Sequence, residues 1–169
     1  MTVLLRAVTE ADIPAITAIN NSAVPAVPFT DEDGIADLVD VAALKLVAVP
    51  DENPAAVLGF VLAMSSGSPY DSENFQWFER RGEAHFYVDR IVVADGARGR
   101  GVGEALYAAV FEHAWSIGAG AVTCEVNTDP PNPGSLKFHG RLGFTEVGSQ
   151  PTKGGAVTVA MLEHRPQRA

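Results

Sequence analysis

The chain has 169 residues, 47% apolar and 20% charged, ordinary values for a globular fold long enough to bury a core, and it reads most simply as one domain over 1–169. A net charge of −9 argues against a nucleic-acid partner, and no stretch approaches the roughly 18 unbroken apolar residues of a membrane span. One cysteine, Cys124, excludes an internal disulfide, and four scattered histidines (85, 113, 139 and 164) with no H-x-x-x-H pair leave no metal expected.

The opening "MTVLLRAVTEAD" turns acidic too soon for a signal peptide, so a cytoplasmic protein is expected. Within it "LLRAV" predicts a strand, and "TEADIPAITAIN" a helix with Thr9 as N-cap and Asp12 three residues on. The Pro-rich "NSAVPAVPFTDEDG" must be loop, with a second helix near 31–40. "LKLVAVP" and "AAVLGFVLAM" predict a hairpin about the "DENP" turn. Residues 66–82 hold either a long loop or a short aromatic helix, with Phe75 and Phe78 as packing anchors.

"AHFYVDRIVVAD" is the fourth strand. After it, Val102, Leu106, Ala109, Val110 and Ile117 recur at helical spacing, and Gly118 and Gly120 suit a stop. "AVTCEV" is a fifth strand with Cys124 as a buried thiol, and "NTDPPNPG" a loop. "SLKFHGRL" predicts a short helix with Asn132 as N-cap and Pro133 as first residue. "GFTEVGSQ", "TKGG" and "AVTVAMLEH" close the chain as a hairpin. Strands that do not simply alternate with helices imply an α/β fold with a mixed sheet, not a doubly wound parallel one.

The stretch Arg98, Gly99, Arg100, Gly101, Val102 and Gly103 lies between a strand and a helix. Unpaired backbone N–H groups, the positive end of the helix dipole and two arginines there suit an anion. It lacks the lysine and hydroxyl of a nucleotide-triphosphate loop. A dinucleotide fingerprint from Gly101 needs glycine or alanine where Leu106 stands, although Glu125 sits about where its acidic residue belongs. A turn that merely starts a helix is the plain alternative.

The pattern Arg98-x-x-Gly101-x-Gly103 after "IVVAD" resembles the acetyl-CoA pyrophosphate loop of the GNAT acetyltransferases. A second segment, "NPGSLKFHGRLGF" at 132–144, is similar to that family's N-x-x-[AS]-x-x-x-Y-x-x-x-G-F motif, with Asn132, Ser135, Gly143 and Phe144 in place. "LLRAVTEADIPAI" resembles its opening strand and helix. Two departures stand out: His139 occupies the tyrosine position, and "NTDPP" is a Pro-rich insertion.

The resemblance implies a mostly antiparallel sheet with flanking helices and an acetyl group carried from acetyl-CoA to a primary amine by direct attack in a ternary complex. The backbone of Ile91, Val92 and Val93 would pair with pantetheine, and Asn127, Asn132, Ser135 and Phe138 would line it. Arg98 to Gly103 would hold the diphosphate. Glu125 and Asp89 are the candidate proton acceptors for the amine, set against a solvated strand end and a salt bridge with a neighbouring arginine. His139 is the candidate acid for the leaving thiolate, set against a helix-face histidine that only hydrogen-bonds the coenzyme.

Asn20, Asn21, Tyr70 and Trp77 are the residues expected at the acceptor, a small molecule or a peptide amine. A homodimer through the C-terminal hairpin is compatible with this fold. A non-catalytic acyl-CoA-binding domain and a dinucleotide oxidoreductase are the rival readings.

Overall fold

The computed structural model describes residues 1–166. Its strands are β1 (Val3–Ala7), β2 (Leu44–Pro50), β3 (Gly59–Ser65), β4 (His85–Val93), β5 (Ala121–Asp129), β6 (Thr145–Thr152) and β7 (Val157–His164). They form one seven-stranded sheet in the order β1-β2-β3-β4-β5-β7-β6. The helices are α1 (Ile13–Ser22), α2 (Glu32–Val41), α3 (Glu73–Glu79), α4 (Val102–Ser116) and α5 (Pro133–Arg141). The result is the expected mixed, mostly antiparallel α/β sheet flanked by helices. The chain divides into two compact units, Met1–Met64 with Val88–His113, and Ser65–Tyr87 with Ala114 onward.

In the first unit β1, β2 and β3 form an antiparallel meander, with Val3 opposite Pro50 and Leu44 opposite Ala63. The run "GFVLAM" is buried throughout, as a strand covered on both faces must be. Ile16, Ile35, Val47, Phe60, Leu62, Leu106 and Val110 are inaccessible to solvent, and each large apolar side chain so buried contributes about 1.5–3 kcal/mol. The turn after β2 is longer than the "DENP" reading. Successive turn bonds, Asn53 N–H to Pro50 and Ala56 N–H to Asn53, take residues 55–58 out of the third strand.

The first helix also starts later than expected. Asp12 accepts hydrogen bonds from the Thr9 N–H (2.8 Å) and hydroxyl (3.0 Å), closing a single 3₁₀ turn before Ile13. Arg6 grips the same carboxylate with two nitrogens at 2.8 and 2.9 Å, holding Asp12 at a pKa of about 2. Asp31 caps α2 by accepting from Gly34 N–H.

In the second unit the aromatic stretch is a helix, α3, because Ser72 accepts from Phe75 N–H at its start. Phe75 and Phe78 point into the core. β4 and β5 pair in parallel over His85–Tyr87 and Ala121–Thr123. β5 runs through Asn127 to Asp129, past the predicted loop start, because β7 supplies Val159 and Thr158 as ladder partners there. Cys124 is buried on β5, as expected. Gly118, at φ +74°, follows the end of α4 and leaves Ile117 48% exposed, outside the helix face to which its spacing assigned it.

Candidate active site

The glycine-arginine stretch is an open corner on the first unit. Gly99 and Gly101 both have φ +76°, where L side chains are strained, and a Cβ at either position would meet nothing within 4 Å. Ala105 N–H makes the first helical bond, to Gly101, so the preceding amides at the start of α4 have no partner within the helix. Arg98 and Arg100 are exposed, and Arg98 pairs with Asp95 at 3.2 Å. Val102 is buried and Gly103 half-buried, so the helix start is fixed beneath an accessible rim.

The corner is anchored from below by a close backbone approach. A Cβ on Gly59 of β3 would lie 2.8 Å from the Val92 carbonyl oxygen and 3.1 Å from a Val102 methyl. Glycine there lets β3 press against β4 and the first residue of α4. Ile91 and Val93, on either side of buried Val92, are half-buried.

Asp89 lies on the same strand, its side chain 5% exposed and 3.5 Å from the Arg90 guanidinium. Arg90 is buried and donates to Asn20 Oδ1 (2.8 Å) and Thr30 Oγ1 (3.0 Å). Asn20 itself is fully buried, its amide donating to the Pro28 carbonyl and to Asn21. Asn21 exchanges two hydrogen bonds with the backbone of Thr30. Both asparagines, expected at the acceptor, thus clamp the 23–30 loop, with Arg90 as its post and Asp89 as the neutralising charge.

On the second unit Glu125 is half-buried and accepts a 2.7 Å hydrogen bond from the hydroxyl of Tyr87, a side chain with no solvent exposure. Reading the sequence by motif passed over Tyr87. The signal was present: in "HFYVDRIVV" and "AVTCEVNTD", His85, Tyr87 and Asp89, and Thr123, Glu125 and Asn127, alternate with apolar residues, so each set shares a strand face.

Asn132 caps α5 as expected, accepting from Ser135 N–H at 3.4 Å, and its own N–H donates to the Asn127 carbonyl at 3.0 Å. These two bonds join the end of β5 to the start of α5. His139 is buried, ringed by Phe138 and Phe144, and its Nδ1 lies 2.8 Å from the Ser135 carbonyl. A carbonyl only accepts, so Nδ1 carries the proton. Burial pushes the imidazole below the ordinary histidine value, against the opposing pull of that Ser135 bond.

Tyr70 leans on Phe75 with ring centroids 5.7 Å apart. Trp77 meets Phe78 edge-on at 5.0 Å, lies beneath the Arg81 guanidinium at 5.3 Å, and is seated on Gly148 of β6. Both aromatics serve α3 packing in this arrangement. Among the described residues no group of histidine, cysteine and carboxylate side chains is arranged to hold a metal ion.

A mixed sheet whose fourth strand leads through a positive-φ glycine turn into a helix start defines an α/β protein. The model of the Acetyltransferase (GNAT) family matches residues 16–144, and the chain belongs to that family. No curated protein matches the sequence.

Solved structures share the fold. Ard1 from Thermoplasma volcanium has a TM-score of 0.78 at 19% identity, over 99% of this chain and 100% of that one. The ribosomal-protein-alanine N-acetyltransferase from Brucella melitensis gives 0.71 at 22%, over 96% and 99%. The putative acetyltransferase yncA from Salmonella typhimurium, solved with its cofactor acetyl-CoA, gives 0.72 at 20%, over 100% and 97%. This fold replaces the doubly wound sheet that a dinucleotide oxidoreductase would need.

Proposed function

We propose that this protein is an N-acetyltransferase that moves acetyl from acetyl-CoA to a primary amine by direct attack in a ternary complex. The observation that carries the reading is the pair of glycines at φ +76°, open at their Cβ positions and alternating with two exposed arginines just before α4. Amides and guanidinium groups so placed suit a diphosphate. Acetyl-CoA, when bound, supplies the acetyl group as an activated thioester.

The remaining chemistry falls to this chain's own residues. Arg98, Gly99, Arg100, Gly101, Val102 and Gly103 hold the diphosphate. Backbone groups of Ile91, Val92 and Val93 and the side chains of Asn127, Asn132, Ser135 and Phe138 hold the pantetheine arm. An amine is protonated near neutrality, so a carboxylate must take its proton before nitrogen can attack. We assign that part to Glu125, which is held by a neutral phenol, in preference to Asp89, which is paired with buried Arg90. His139, with its proton at Nδ1 directed to Ser135, acts as an oriented neutral imidazole. The acceptor is a small molecule or a peptide amine. Its peptide form draws support from fold relatives such as the Brucella ribosomal-protein-alanine enzyme and the NatC complex bound to Gag peptide and CoA.

The second reading, a non-catalytic acyl-CoA-binding domain, draws on the same His139, which stands where the family motif has tyrosine. Free-thiol release from acetyl-CoA across a panel of amines and N-terminal peptides separates the two. Thiol release matched by acetylated product supports the enzyme. Stabilisation by acetyl-CoA, about 2.7 kcal/mol at 100 times Kd, without acetylation of any amine supports the binding domain.

A further inference from the structure

Alternation along β4 and β5 stacks two cross-strand polar contacts on one face of the second unit. His85 Nδ1 lies 3.0 Å from Thr123 Oγ1, and one rung further the Tyr87 hydroxyl donates to Glu125 Oε2 at 2.7 Å. The Tyr87 ring has no solvent exposure and is wedged edge-on against Phe75 (5.5 Å) and tilted on Phe78 (6.1 Å). A ring locked in this way delivers its O–H from a fixed point. A hydrogen bond donated to a carboxylate favours its ionised form and fixes the plane of its oxygens.

Charged neighbours on this face are already engaged. β7 places Met161 opposite Glu125 and Glu163 opposite Thr123, and Glu163 pairs with Arg81 (3.4 Å) and Arg165 (3.0 Å). From α3, Glu79 meets His85 Nε2 at 2.7 Å. α5, which also packs on β5, carries Lys137 and Arg141 exposed and His139 bound to Ser135. The Tyr87 hydroxyl meets the Glu125 carboxylate as an uncharged donor. That suits a base that must stay ionised yet still accept a proton.

We propose that Tyr87 is the positioning residue for Glu125, holding its carboxylate ionised and aimed for proton transfer from the acceptor amine; this rests on the acetyltransferase reading. The proton leaves the ammonium for a Glu125 oxygen, and the nitrogen keeps the electron pair with which it attacks.

The test has a direct and a kinetic readout. Carboxyl carbon NMR of glutamate-labelled protein without acetyl-CoA follows the Glu125 titration, the resonance being assigned by its loss in Glu125→Gln. The pH profile of kcat/KM then follows the reaction. Tyr87→Phe is expected to raise the Glu125 midpoint by about one pH unit and to move the acidic limb of kcat/KM up with it, leaving KM for acetyl-CoA within about twofold. Placing 3-fluorotyrosine at position 87 keeps the ring and strengthens the donor, so it moves both midpoints down. This variant decides the matter if Tyr87→Phe does not fold. Coincident Glu125 midpoints in wild type and variants overturn the proposal even with turnover intact. A wild type that binds acetyl-CoA but acetylates no amine overturns the acetyltransferase reading instead, and the role of Tyr87 falls with it.

Discussion

The Nδ1 of His139 donates to the carbonyl oxygen of Ser135, one turn earlier on α5, at 2.8 Å. In the neutral ring this fixes the tautomer, leaving the lone pair on Nε2. Protonating a thiolate from this side chain requires the doubly protonated ring, which burial disfavours. We expect kcat not to fall as pH rises toward 6.5, the range below the ordinary histidine value in which this buried ring would lose its proton. A fall there would return the acid role to His139.

The same burial has a stability consequence. The folded pKa of His139 lies below its unfolded value, so between the two the unfolded chain binds the extra proton. This group leaves stability unchanged above about pH 6.5 and subtracts from it as pH falls below. Guanidinium unfolding of wild type and His139→Phe should show the wild type losing ground on the variant between about pH 7.5 and pH 5.5.

Gly101→Ala places a methyl group in the open corner at a positive φ. The backbone strain costs about 1–2 kcal/mol, and acetyl-CoA binding should weaken by about tenfold or more. Gly82→Ala is the control: φ is +73° there and its Cβ also meets nothing within 4 Å, in the turn after α3. It should lose similar stability and leave acetyl-CoA binding unchanged by calorimetry.

A Cβ on Gly148 would lie 2.4 Å from Trp77 Cζ2, inside any tolerable contact with a rigid ring. Gly148→Ala should cost about 1–3 kcal/mol. Because the clash is with this one ring, Trp77→Leu should recover much of the loss, seen as a favourable coupling in a double-mutant cycle of denaturant midpoints.

Asp12 is held at a pKa of about 2, chiefly by its hydrogen bonds from Arg6. The folded pKa is depressed, so the stabilisation is complete above the unfolded carboxylate value of about 4 and is lost as pH falls toward 2. With Arg6 partly solvated, the contribution is about 1–2 kcal/mol. Asp12→Asn should lose that much at pH 7 and match the wild type near pH 2.

What could be read from the sequence was local. The Asn132 cap, the Ser135 position one turn before His139 and the glycine turn at 99–101 involve residues within a few positions of one another, so composition and spacing suffice. The Tyr87–Glu125 contact spans 38 residues and depends on the register of β4 on β5. Arg90 reaches Asn20 across 70 residues, so the part Asn20 plays in holding the loop could not be read from spacing. The extension of β5 through Asn127 was hidden for the same reason: polar residues beside two prolines look like loop until β7 is known to lie alongside.

The strand order puts β6 at the rim of the sheet, and its register slips between Glu146 and Gly148 before Pro151 enters near the strand's end. A slipped, kinked margin carrying an imino acid is a poor template for a further strand. Such a margin disfavours runaway edge-to-edge stacking of sheets at high concentration.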